Sequence, residues 1–167
     1  MFVHPDDDPR ADGGFANNER AMLVGYLHDR RLTLELKCAG LDAAGMAQRS
    51  VPPSNLSLLG LVRHMAETER VWFRQVIAGQ DAPAHYPDKT EFDGAVADPA
   101  MVEEAWAVWR SEVSFAERFV NEAPDLGITG KNDTSLREVL IHMIEEYARH
   151  NGHADFLRER IDGRVGQ

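Results

Sequence analysis

The chain has 167 residues, a length suited to one domain, and its 43% hydrophobic content supplies enough apolar material for a sizeable core. Eighteen Lys and Arg stand against 28 Asp and Glu, a formal charge of −10 with no basic stripe, which argues against nucleic acid as a partner. One cysteine, Cys38, excludes a disulfide framework, and its apolar helical setting reads as a buried thiol in a reducing cytoplasm.

Residues 1–16 are acidic and rich in Pro and Gly, and they read as a flexible segment without the apolar stretch of a signal peptide. No later run approaches the roughly 18 to 20 apolar residues needed to cross a bilayer, so neither membrane nor export is expected. From Asn18 to Ala39, apolar residues at Met22, Leu23, Tyr26, Leu27, Leu34 and Cys38 follow a helical period, and Gly40 is placed to end it. The next stretch holds Gly45, Pro52 and Pro53 and reads as a loop with room for a short helical turn.

A second helix is expected from Ser57 to Ala78, on the spacing of Leu58, Leu61, Met65, Trp72 and Val76. Residues 80–97, with Pro83, Pro87 and Gly94, make a long crossover loop. Asp98-Pro99 is the entrance to a third helix that runs to Glu122, with Glu103 and Glu104 read as first-turn acids favouring the helix dipole. Ser135 and Glu138 form a capping box for a fourth, ending near Ile161 before Gly163. Its seam of Leu136, Leu140, Met143, Tyr147, His150, Ala154, Leu157 and Ile161 contains one histidine. No segment reads as a strand, so the fold expected is all-α, an up-and-down four-helix bundle over residues 17–163 with a short tail at 164–167.

The chemistry concentrates on the fourth helix, where His142, Glu146, His150 and His153 recur at three or four residues and share one face. Glu146 and His150, an i, i+4 pair, sit about 5–6 Å apart at Cβ and can converge on one ion. His64, flanked by Leu61 and Met65, points inward from the second helix if it follows its neighbours. Two imidazoles and a carboxylate leave an open coordination position, the arrangement of catalytic zinc, and nickel or iron would suit the same donors. The competing interpretation is a hydrogen-bonded core histidine and a surface carboxylate.

Three stretches carry a resemblance: PSNLSLLGLVRHMAETERVWF, EEYARHNGHADFLRERIDG and an arginine, Arg31, on the first helix. Together they resemble the DinB-like superfamily, most of all its actinobacterial branch, over residues 18–163. The resemblance implies a four-helix bundle similar to mycothiol-dependent maleylpyruvate isomerase and bacillithiol transferases, with a divalent metal on His64, Glu146 and His150. It implies glutamate as the middle ligand, as in the isomerase-like branch, and His153 as a group behind the ligands or facing the substrate.

The activity so implied is an S-transferase or isomerase reaction in which a low-molecular-weight thiol, mycothiol-like, meets a small electrophile. His142 and His153 are then candidates for proton transfer, and Arg31, Trp72 and Tyr147 for substrate contact. Arg31 alternatively pairs an inter-helix carboxylate such as Glu35 or one on the next helix, and Trp72 and Tyr147 alternatively fill the core. The rival functions are a metal-dependent hydrolase, with His142 or His153 as base, and a non-catalytic metal-binding or interaction protein. A homodimer is a further expectation, with Trp106 and Trp109 as anchors unless they are buried within one subunit.

Overall fold

All five α-helices start from a side-chain cap, and these starts set the lengths of the rods that follow. The computed structural model describes residues 4, 8–10, 18–87 and 90–165, so most of the expected flexible segment, and residues 166–167 of the tail, lie outside the described residues. Helix α1 (Glu19–Cys38) begins at Asn18, whose side chain accepts from the Ala21 N–H, and ends before Gly40, at φ 76° in the left-handed region that favours glycine. A five-residue helix, α2 (Ala43–Ala47), is capped by Asp42 and fills the short turn expected after Gly40.

Helix α3 (Leu58–Glu69) starts from Ser57, whose Oγ accepts from the Gly60 N–H at 3.1 Å. The expected second helix is not one α-helix to Ala78: from Arg70 to Ile77 the chain winds as a π-helix, closed where the Ala78 N–H donates to the Phe73 carbonyl at 3.1 Å. The wider turn rotates each residue by less than the roughly 100° of an α-helix, so Trp72 stays nearer the face that carries His64. The hydrophobic spacing of a helix does not register such a change of pitch over two turns.

Asp98 caps α4 (Pro99–Glu122), with proline in the first turn where its missing N–H costs nothing. Glu103 and Glu104 lie beyond that first turn, which contains no acid, because the helix begins at Pro99 and its dipole field has faded by the fifth residue. Helix α5 (Leu136–Asp162) opens on the capping box of Ser135 and Glu138, and closes on Gly163 at φ 77°. At 27 residues it spans roughly 40 Å. Among the described residues the fold is all-α, and its only extended pairing is one isolated bridge between Thr129 and Ser135. None of the described helices is long and apolar enough to cross a membrane.

Helix α1 packs along α5 and α3 along α4, while α3 and α5 lie against each other and join the two pairs. Between them the core is made by Leu27, Leu34, Leu59, Met65, Phe73, Leu140, Met143 and Ala154, all at most 2% exposed. Burying each larger side chain contributes about 1.5–3 kcal/mol relative to leaving it in water.

A polar layer crosses this core. Glu69 is fully buried on α3 and takes both arms of the Arg31 guanidinium from α1, each at 2.8 Å. The Tyr147 hydroxyl on α5 donates to the same carboxylate at 2.8 Å, and Trp109 Nε1 on α4 donates to that hydroxyl at 2.8 Å. Four helices are thereby tied at one level, with the carboxylate satisfied on both oxygens. Trp109 is therefore a core residue, 3% exposed, with Trp106 packed edge-on against it at 5.3 Å.

Candidate metal centre

His64 sits in the middle of α3, ahead of the π-helix, on the side that faces α5. Its position follows from packing: Leu61 and Met65, on either side of it, are fully buried, which turns the residue between them toward the neighbouring helix. On α5, Glu146 and His150 project one turn apart toward it. His64 Nε2 lies 4.0 Å from Glu146 Oε2, and His150 Nε2 lies 3.5 Å from the same oxygen. The two imidazole rings are 4.6 Å apart at 58°. One ligand atom from each of the three residues falls within 4.8 Å of the other two, and this is the only such trio of His, Cys, Asp or Glu among the described residues.

That spacing suits a small cation. Zinc–nitrogen and zinc–oxygen bonds of about 2.0–2.2 Å place tetrahedral ligand atoms roughly 3.3–3.6 Å apart, a modest side-chain adjustment from the distances seen. The electrostatics agree. Burial lowers the pKa of His64, against the opposing charges of Glu91 and Glu146. Burial lowers that of His150 to about 4, aided by the neighbouring rings of His64 and His153. Both rings are thus held neutral at pH 7, with a lone pair free to ligate. Glu146 keeps Oε2 toward the histidines while its Oε1 pairs with Arg149.

Beside the trio a hollow of about 300 Å³ opens to solvent, lined by His64 and Glu146 and walled by Trp72, His142, Glu67 and Glu91. The Trp72 and His142 rings lie 4.1 Å apart across its edge. His153 is elsewhere: its Nδ1 lies 3.3 Å from His150 Nδ1, and it borders a separate hollow with Leu56 and Phe156. Arg31 and Tyr147 are not among the residues lining the hollow at His64, since both are taken up by Glu69 in the core between the helices. Arg31 instead borders a cavity of about 150 Å³ between α1 and α4, where its Nη1 comes within 3.6 Å of Glu117.

Sequence reasoning passed over Glu69 and Glu91. Glu69 carried a signal, because it occupies a seam position on the spacing Leu58, Val62, Met65, Glu69, Phe73, where a carboxylate must find a partner. Glu91 carried none, since the crossover loop has no period from which to read an inward face.

The site lies on the two segments, one in α3 and one in α5, whose motifs are most distinctive in the sequence. No curated protein and no solved structure matches the chain significantly. The family model of the mycothiol-S-transferases, however, matches residues 22–163, from the first turn of α1 to the glycine that ends α5. The match covers every helix that builds the core and the site, and the chain belongs to this family, within the DinB-like superfamily.

Proposed function

We propose that this protein is a divalent-metal-dependent S-transferase that joins mycothiol to a small electrophile in the cytoplasm, on an up-and-down four-helix bundle. His64, Glu146 and His150 hold the metal. The observation that carries this reading is the convergence of two neutral imidazoles and a carboxylate within 4.8 Å at the mouth of an open hollow. Zinc is the ion this donor set favours, and nickel or iron fit it as well. When bound, the cation supplies the positive charge that holds a thiol as its thiolate near neutral pH.

The chain's own residues supply the rest. The thiol loses its proton, its sulfur forms a bond to an electrophilic carbon, and that carbon gives up a leaving group or a π-electron pair. His142, at the edge of the hollow, is placed to take the proton, and Trp72 offers an apolar wall to the body of thiol or electrophile. His153 holds the His150 ring from behind. Arg31 and Tyr147 act through Glu69, keeping α5 in register with α3, in place of the direct substrate contact their residue types first suggested.

Purified, metal-loaded protein incubated with mycothiol and an electrophile is expected to form the S-conjugate only when both are present. Turnover of esters or amides without thiol would instead make the protein a hydrolase. Metal uptake with no turnover of either kind would leave a binding protein.

Cys38 is not the nucleophile in this scheme. It is 5% exposed, and burial pushes its thiol up to about 12. A Cys38→Ser variant is expected to retain thiol-dependent turnover in the same assay. A loss as deep as that of His64→Ala would overturn the assignment.

A further inference from the structure

Glu91 stands on the opposite side of the His64 ring from Glu146. Its Oε1 lies 3.9 Å from His64 Nδ1, while His64 Nε2 faces Glu146 at 4.0 Å, so each ring nitrogen has a carboxylate of its own. Phe92, the next residue, stacks on the same ring at 5.0 Å and 28°. Gly60, one turn earlier on α3, makes room for that stack: a Cβ there would lie 3.2 Å from Phe92 Cδ1 and 3.4 Å from its Cα.

The turn that carries Glu91 is held without help from His64. The Gly94 N–H donates to the Thr90 carbonyl at 2.8 Å, and Asn55 Nδ2 donates to Asp93 Oδ1 at 3.0 Å. Upstream, the Glu67 carboxylate accepts from the N–H groups of His85 and Tyr86 at 2.5 and 2.8 Å. The crossover loop is thus anchored on both sides of Glu91, which makes the carboxylate part of the frame around the ring.

A neutral imidazole has one N–H and one lone pair, and the partner of one nitrogen decides what the other presents. A carboxylate facing Nδ1 favours the proton there and leaves the lone pair on Nε2, the nitrogen that faces Glu146 and His150. Glu91 is outside the trio of mutually close ligand atoms, so orientation of the ring, not ligation, is the part its position allows.

We propose that Glu91 is a positioning residue that accepts the Nδ1–H of His64, fixing the ring and its tautomer so that Nε2 is offered to the metal. The inference rests on the metal reading above. It assigns the crossover loop a chemical part in the site, and it makes the two imidazoles unequal. The Nδ1 of His64 faces a carboxylate, whereas the Nδ1 of His150 faces the His153 ring at 3.3 Å.

The test compares the full-length wild type with Glu91→Ala and Glu91→Gln, using zinc affinity by chelator competition and the proton spectrum of the cobalt(II)-loaded protein. Partners of this kind are worth about 10- to 100-fold in metal affinity. Glu91→Ala is therefore expected to bind zinc 10- to 100-fold more weakly and to lose the shifted, exchangeable Nδ1–H resonance of His64 to solvent exchange. Glu91→Gln, which keeps an acceptor oxygen, is expected to restore part of both. If the wild type binds one equivalent and Glu91→Ala matches it in affinity and spectrum, the inference about Glu91 fails alone. A lower melting temperature with the resonance still in place would make Glu91 merely structural and overturn it as well. If the wild type takes up no zinc or cobalt, or if His64→Ala binds as tightly, the metal centre itself fails and Glu91 with it.

Discussion

Alanine at position 146 is expected to reduce bound divalent metal from near one equivalent to near zero and to lower thiol-transfer turnover on the order of 10³-fold. Glu146 is the shared neighbour in the trio: its Oε2 is the atom that both His64 Nε2 and His150 Nε2 approach. Removing it leaves two neutral imidazoles and takes away the only negative charge among the donors. A cation at such a site contributes several kcal/mol of charge stabilisation to the reaction, and each 1.36 kcal/mol is tenfold in rate. The scaffold is expected to persist, because the carboxylate's other ion pair is with Arg149, whose side chain is largely exposed. Metal analysis of untreated protein, with circular dichroism as the check on folding, gives the answer. A Glu146→Ala protein that folds and keeps its full metal content would place the ion elsewhere.

The second large effect concerns stability. Glu69→Ala should lower the free energy of unfolding by about 3–5 kcal/mol, because it strands the Arg31 guanidinium in the core between the helices. Arg31 is 5% exposed, and its other carboxylate, Glu117, stands 3.6 Å away at the protein surface. The Tyr147 hydroxyl loses its acceptor in the same step, although it still receives the Trp109 N–H. Replacing both charged partners with apolar residues, Arg31→Met with Glu69→Leu, is expected to recover most of the loss, since no unpaired charge then remains. Urea titration of the three proteins, metal-free, measures the comparison. An unchanged midpoint in Glu69→Ala would show that water reaches Arg31 and that the layer contributes little. Tyr147 adjoins Glu146, so a weakened layer is also expected to loosen the convergence of His64, Glu146 and His150.

The depth of that layer explains why it was hard to read beforehand. Arg31 on α1 and Glu69 on α3 are 38 residues apart, and neither the period of its helix nor its residue type names the other as its partner. The pairing needs α1 and α3 to face each other at one height, which packing alone settles. Trp109 posed the same problem, an aromatic on a helix that suits a core or an interface until Tyr147 is found beneath its ring nitrogen.

Local chemistry, by contrast, acts within a few residues and is written in the chain. Asn18, Asp42, Ser57, Asp98 and Ser135 each cap the helix that follows, and Gly40 and Gly163 take the positive φ that ends one, because these effects depend only on side chains near a helix terminus. The i, i+4 spacing of Glu146 and His150 was equally legible, since one turn of helix places them together wherever α5 lies. Three features depended on the tertiary structure. His64 could be joined to that pair only once α3 and α5 were in contact. The π-helix that keeps Trp72 near the site arises where α3 runs on against α4 and α5, beyond any two-turn hydrophobic pattern. Glu91 reaches the ring of His64 because a loop without periodicity is tied down at both ends, and the hydrogen bonds that tie it come from residues as far off as Asn55.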